Sequence, residues 1–312
     1  MSTPMDSTYQ TMIDRLPRGL HAPARGLLFE LGLARTAEAG WADVFQLQPS
    51  RELPLFALPT DSPGEERAME PFLRAHHAAC FHNVLVDRMA DQQAPWTHER
   101  QQLAMHFLAY WRRSLAQAHG RQCHTDRMID HSIRAWRRGV GLERMALARR
   151  SLDGKRYGRI ILLKLGWAGL ASDCLLRQRV EADRARLFRA AFFLLAAGMQ
   201  CVDDAADASE DKALHGLGVP EALGFPSTAL FTAGALLTRA AASTAERGRF
   251  ERFAQWLSLR ASELELIRQR RVRALDNLAG MVIASSLEAI CLSVTRSTRD
   301  STVGITSCAS SM

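Results

Sequence analysis

The amino-acid sequence predicts an all-α fold, and three observations carry that prediction. Ala, Leu and Arg abound, while the 312 residues include only 20 Gly and 11 Pro. No alternation of apolar and polar residues, the mark of a half-buried strand, persists for more than a few positions. From Glu65 onwards apolar residues recur almost continuously at the spacing of one helix face. A hydrophobic fraction of 47% is ample for a full core, and the length suits either two domains or one large helical domain.

Taken in order, Pro49, Pro54, Pro59 and Pro63 mark a loop that closes a short N-terminal helical section, residues 1–64. A helical domain, residues 65–294, is expected next. Its helices are predicted at roughly 66–92, 99–118, 124–150 with a break near Gly139 and Gly141, 155–179, 181–214, 227–246 and 249–294. Asp153-Gly154, Gly216 to Pro220 and Gly224 to Pro226 supply the stop signals. The remainder, 295–312, is rich in Ser and Thr, has little to bury, and is expected to be a disordered tail.

Cys80, Cys123, Cys174, Cys201, Cys291 and Cys308 show no CxxC spacing, and four lie in apolar helical contexts, so a reducing, cytoplasmic setting is expected. MSTPMDSTYQTMIDR contains no basic segment followed by an apolar one, so no secretory signal is expected. The longest apolar run, Ala190 to Val202, is interrupted by Gln200 and ended by Asp203. It falls short of the ~20 residues of a membrane span, and no transmembrane segment is expected. A net charge of +7 with a pI near 9.5 permits nucleic acid, a membrane surface or phosphorylated small molecules as partners, and does not choose among them.

The most informative stretch is DDAADASED, Asp203 to Asp211, with five carboxylates. On a continuous helix, with Asp203 at zero, Glu210 projects to about −20°, Asp207 to about 40°, Asp211 to about 80° and Asp204 to about 100°. All five would share one face. Like charges three and four apart repel by a few tenths of a kcal/mol per pair, so a cation is expected to compensate them. Several oxygen ligands without interleaved Cys or His suit a hard ion such as Mg²⁺, whose shell is completed by water and substrate phosphates. The plain alternative is a solvated acidic helix end. A second pair, Asp87 and Asp91 in FHNVLVDRMADQQ, lies four apart on one predicted helix face, although two acids near a helix end are commonplace. In RYGRIILLKLGW, Lys164 stands among Ile160, Ile161, Leu162, Leu163, Leu165 and Trp167; its ammonium needs an anion, which a diphosphate would supply, or a path to water.

Together these segments resemble the class I isoprenoid synthases, especially the trans-prenyltransferases and the terpene synthases built on the same fold. The second aspartate motif of that superfamily is matched by Gln200, Asp203, Asp204, Asp207 and Asp211. Tyr157, Lys164 and Gly166 reproduce the spacing of a Tyr and a KT-G sequence, with Leu165 in place of the usual Thr. Asp87 and Asp91 stand for the first motif. The resemblance implies a single all-α bundle around a central apolar cavity, with Asp87, Asp91, Asp203, Asp207 and Asp211 as Mg²⁺ ligands. It further implies Lys164 as the catalytic cation and Gln200, Asp204 and Tyr157 as substrate-binding residues.

This sequence also departs from the family pattern. Arg88 occupies the place of the second Asp of the first motif, and QQAPWTH after Asp91 lacks the arginine pair that holds a second diphosphate in chain-elongating relatives. The expected activity is therefore ionisation of an allylic prenyl diphosphate with release of diphosphate, followed by cyclisation or elimination. Prenyl transfer is the alternative. Phe72, Phe192, Phe193 and Trp167 are either cavity walls or plain core. Relatives are often dimers, so a homodimer is among the assemblies the resemblance allows.

Two readings from other classes remain. The arginines of IRAWRRGVGLERMALARR (Ile133 to Arg150) and IRQRRVRALD (Ile267 to Asp276) could neutralise phosphates of a nucleic acid; solvated faces of amphipathic helices explain them better, and no nucleic-acid partner is expected. The altered first motif would also suit a non-catalytic helical partner of an active subunit. His76, His77, Cys80 and His82 cluster in sequence without forming a recognisable zinc ligand set.

Overall fold

The computed structural model describes residues 3–36, 38–58, 65–271 and 274–297, and among them every regular element is helical. In chain order they are α1 (Pro4–Ile13), a 3₁₀ turn (Arg18–Leu20), α2 (His21–Arg25), α3 (Leu27–Glu30), α4 (Trp41–Val44) and α5 (Gln48–Phe56). The longer helices follow: α6 (Glu65–Ala90), α7 (His98–His119), α8 (Gln122–Ala148), α9 (Gly154–Leu165), a 3₁₀ turn (Gly166–Gly169) and α10 (Leu170–Arg179). Last come α11 (Ala182–Ala206), α12 (Ala208–His215), α13 (Val219–Leu223), α14 (Ser227–Arg247), α15 (Glu251–Arg271) and α16 (Ala274–Ser297). The chain divides into two compact units, Met1–His131 with Trp167–Arg179, and Ser132–Gly166 with Val180–Met312.

The first unit is organised by the packing of α6 against α7, with α1 and α5 laid on α6. Its centre is aromatic. Tyr9, Trp41, Phe81 and Phe107 meet at ring separations between 4.6 and 6.1 Å, and the Tyr9 hydroxyl donates to the Ala24 carbonyl at 2.7 Å. The expected proline loop is different: Pro49 and Pro54 lie within α5, while Pro59 and Pro63 fall outside the described residues. Pro54 cannot donate to the Ser50 carbonyl, and Glu52 leaves helical geometry (φ −132, ψ 22), so α5 kinks instead of ending. The neighbouring helix supplies the missing donor. His76 Nε2 meets the Ser50 carbonyl at 3.0 Å and His77 Nε2 meets that of Arg51 at 2.7 Å, which gives both buried histidines a backbone role.

The second unit is built on α14, against which α11, α15 and α16 pack. The α11–α14 crossing is close because both helices present glycine there. A Cβ at Gly198 would lie 3.0 Å from the Gly234 carbonyl, and one at Gly234 would lie 2.7 Å from the Gly198 carbonyl. This contact fixes the end of α11 that carries Gln200, Asp203 and Asp204. α11 has 25 residues, longer than the apolar run suggested, and is long and apolar enough to cross a membrane by composition; 61% of its most apolar window is buried inside the protein.

Several boundaries differ from expectation, including the expected helix 249–294, which is the two elements α15 and α16. α8 runs unbroken through Gly139 and Gly141. The expected helix 155–179 is divided by the 3₁₀ turn at Gly166–Gly169, where two glycines weaken the helix. α16 continues to Ser297, so the first residues of the expected tail are helical, and 298–312 lie outside the described residues.

Candidate functional site

The second unit brings together four of the predicted residues. α9 starts at Asp153, whose carboxylate accepts the Arg156 N–H at 2.7 Å, and this cap places Tyr157 at the first turn with its side chain buried. The Tyr157 hydroxyl donates at 2.5 Å to Asp204, 47 positions away on α11. Gln200, one turn earlier on α11, donates to the other Asp204 oxygen at 2.7 Å. Asp204 is only 8% exposed, and burial raises its pKa to about 7. The bonds from Tyr157 and Gln200 oppose that rise, Glu143 adds to it and Lys164 again opposes it. Burial, with Cys201 and Asp204 nearby, drives the Tyr157 hydroxyl well above its ordinary range, so it remains a donor. The cluster therefore holds one carboxyl group near the midpoint of its titration at neutral pH.

Lys164 resolves its burial in a way the sequence did not anticipate. Its ammonium lies 2.6 Å from the Glu143 carboxylate, with the two side chains 16% and 22% exposed. Gly139 makes this approach possible: a Cβ there would stand 3.0 Å from both Lys164 Cγ and Leu163 Cβ. The glycine expected to break α8 instead receives α9. Glu143 is the site residue that sequence reasoning missed. It sits on α8, 21 positions before Lys164, and its only prior signal was its place four residues after Gly139.

The acidic run departs from a single helix. α11 ends at Ala206, Asp207 takes φ −88 and ψ 0, and α12 begins at Ala208. The one-face projection of all five acids therefore stops at Asp207. Asp and Ser favour helix ends because their side chains compete for the backbone, and DAS at 207–209 provides such an end. Asp203 and Asp207 remain one turn apart, with the Asp207 N–H bonded to the Asp203 carbonyl at 2.9 Å, and both side chains are exposed. The Asp211 side chain lies outside the described residues.

Asp87 and Asp91 belong to the first unit. The Asp91 N–H bonds to the Asp87 carbonyl at 2.8 Å, so the two half-buried acids occupy the last turn of α6 on one side, as expected. Phe72 and Trp167 also fall in the first unit, whereas Phe192 and Phe193, with rings 5.3 Å apart, are in the second. A cleft of ≈ 290 Å³ lies between α14 and α16, lined by Leu236, Arg239, Met281 and Glu288 among others, and one of ≈ 400 Å³ borders Arg113 and Gly120. None of the predicted site residues lines either cleft. In comparisons with protein-family models, curated proteins and solved structures, nothing matches this chain.

The donor set accords with a hard cation. Asp203 and Asp207 offer oxygen alone, and Mg²⁺ is commonly held by one or two carboxylates with water and phosphate completing its shell. Among the described residues no three of His, Cys, Asp and Glu are grouped as a ready-made metal shell. Any Mg²⁺ at the end of α11 would thus depend on a ligand's oxygens to complete its coordination.

Proposed function

We propose that the chain is a Mg²⁺-dependent, terpene synthase-like class I isoprenoid synthase. It ionises an allylic prenyl diphosphate, releases diphosphate and lets the carbocation cyclise or eliminate a proton. One observation supports this reading above the others. Tyr157, Gln200 and Asp204, three matches from two motif segments, share one hydrogen-bonded cluster, and Asp204 interacts electrostatically with Lys164, a fourth.

In this reading the allylic carbon–oxygen bond breaks with both electrons leaving on the diphosphate oxygen. Lys164 stabilises that charge from a fixed position, where a preorganised cation is worth more than in water. Tyr157 and Gln200 hold Asp204 in place beneath the exposed end of α11. Asp203 and Asp207 would hold Mg²⁺, with Asp211 as a further ligand the resemblance names. Bound there, the metal supplies Lewis-acid stabilisation of the leaving group. Water would be kept from the cation, which loses a proton to the departing diphosphate directly or after ring closure.

The test is incubation of the purified chain with Mg²⁺ and allylic prenyl diphosphates of increasing length, with and without isopentenyl diphosphate, while released pyrophosphate and organic products are measured. Pyrophosphate with a hydrocarbon or alcohol from one substrate alone, abolished by Asp203→Asn and Asp207→Asn, is the expected result. Release only when isopentenyl diphosphate is added would move the assignment to prenyl transfer. No release from any substrate would remove the enzymatic reading.

A second reading has one observation in its favour. Arg134, Arg137 and Arg138 on α8, and Arg149 and Arg150 in the turn after it, are exposed, basic groups suited to polyphosphate backbones. Salt-sensitive nucleic-acid binding unaffected by Asp203→Ala would favour it.

A further inference from the structure

We infer that Glu143 is an internal substitute for the substrate's anionic group: it occupies Lys164 in the free protein and yields it when a diphosphate binds. The inference rests on the reading of Lys164 as a diphosphate-binding cation, and adds a residue outside the matched motifs.

The geometry supports the exchange in three ways. The pair is close, at 2.6 Å, yet neither side chain is sealed, with 16% and 22% of their surfaces exposed, so a dissolved anion can reach the ammonium. α8 is shaped around the lysine. Gly139 lacks the Cβ that would press on Lys164 Cγ at 3.0 Å, and Glu143, four residues later on the same helix, meets the end of the side chain. The negative charge at this point is also crowded. Asp204, held by Tyr157 and Gln200, is near enough for its charge to be disfavoured by Glu143 and favoured by Lys164, so a second carboxyl group shares this field. Asp204 is buried and twice hydrogen-bonded, whereas Glu143 has solvent to turn into. An incoming diphosphate carries more charge than a single carboxylate and can displace the more mobile partner. Until it does, the ion pair lowers apparent affinity by the fraction of molecules in which Lys164 is already engaged.

The probe is inorganic pyrophosphate at constant Mg²⁺, titrated calorimetrically into the full chain and into E143Q, E143D, K164Q and the double variant E143Q/K164Q. Helicity and melting temperature are measured on each. E143Q is expected to bind pyrophosphate roughly two- to fivefold more tightly, the range of a partly exposed ion pair. E143D, which keeps the charge on a shorter arm and guards against loss of fold in E143Q, is expected to fall between E143Q and the wild type. K164Q binds more weakly, and E143Q gives no gain on that background. Unchanged or weaker binding by folded E143Q and E143D, together with weaker binding by K164Q, would overturn the role of Glu143 and leave the reading of Lys164 standing. Pyrophosphate binding that is absent throughout, or indifferent to K164Q, would overturn both.

Discussion

The two buried histidines of α6 make the first unit sensitive to acid. His76 and His77 are 2% and 1% exposed, and their Nε2 atoms meet the Ser50 and Arg51 carbonyls on the kinked helix α5. His77 Nδ1 also lies 3.0 Å from the Thr8 hydroxyl. Burial lowers the His76 pKa from 6.5 to about 4, against the pull of the Ser50 carbonyl. Burial again, with His76 alongside, lowers that of His77 from 6.5 to about 3. Both folded values lie below the unfolded one. The folded state therefore favours neutral rings, and its stability is complete above pH 6.5 and lost as pH falls towards the folded values. At about pH 5 the unfolded chain has gained most of two protons that the folded chain refuses, a loss of about 2 kcal/mol per histidine and about 4 in total.

That loss is a large part of the roughly 5 to 15 kcal/mol that stabilises an ordinary domain. Urea unfolding followed by circular dichroism, repeated from about pH 7.5 to about pH 5, measures it directly. The variant His76→Gln/His77→Gln keeps an amide donor for each carbonyl and does not titrate in this range. It is expected to be less stable than the wild type near neutrality and to lose much less on acidification. A wild-type stability that stays flat between those two pH values, or an equal slope in the double variant, would refute the assignment of neutral, buried rings.

Three further outcomes are expected. The Asp204 pKa is raised to about 7, so its folded value lies above the unfolded one, and its contribution falls as pH rises from 3.8 towards 7. Asp204→Asn should therefore gain about 2 to 3 kcal/mol on the wild type between about pH 5 and pH 8 in urea unfolding, and parallel curves would exclude the shift. Gly234→Ala, which places a Cβ 2.7 Å from the Gly198 carbonyl, should lower stability by about 1 to 3 kcal/mol, whereas Gly141→Ala, with nothing within 4 Å of its Cβ, should raise it by up to about 1 kcal/mol. Equal melting temperatures for these two variants would contradict the close α11–α14 crossing. Charge reversal at Arg137 and Arg138 should leave pyrophosphate release unchanged, and a large loss of turnover would show that the basic face of α8 serves the reaction.

The helical class was legible because 3.6-residue periodicity is a local property. The same is true of the last turns of α6 and α11, where Asp87 with Asp91 and Asp203 with Asp207 keep their four-residue relation. The projection failed one turn further on, because it assumed a single helix through Asp207 and backbone geometry there breaks it. Partners distant in sequence were less accessible. Spacing to known motifs singled out Tyr157, Gln200 and Asp204; the Gln200–Asp204 bond is local to α11, but the Tyr157–Asp204 bond depends on the packing of α9 against α11. Glu143 could not be singled out, since one Glu on an arginine-rich amphipathic helix looks like ordinary surface charge. Gly139 was misread for a related reason: a mid-helix glycine signals either a break or a close approach, and only the packed neighbour distinguishes them. The cluster His76, His77, Cys80 and His82 likewise looked like a set of metal ligands that did not cohere. Its two leading members serve a backbone that Pro54 left short of a donor.

Both acidic pairs fall at the carboxyl ends of their helices, and that placement bears on what they are for. The end of a helix carries a partial negative charge, so a carboxylate there costs roughly 0.3 to 1 kcal/mol where a lysine or arginine would have gained as much, although Asp207 also stands at the N-cap of α12, whose positive end favours it. α6 carries Arg88 in its last turn, but α11 has no basic residue in its own. A cation bound at the end of α11 would favour both carboxylates. The same argument makes Asp203→Ala and Asp207→Ala diagnostic without any substrate. Added Mg²⁺ should raise the melting temperature of the wild type more than that of either variant. If Mg²⁺ raises all three melting temperatures equally, the case for a cation site at the end of α11 fails.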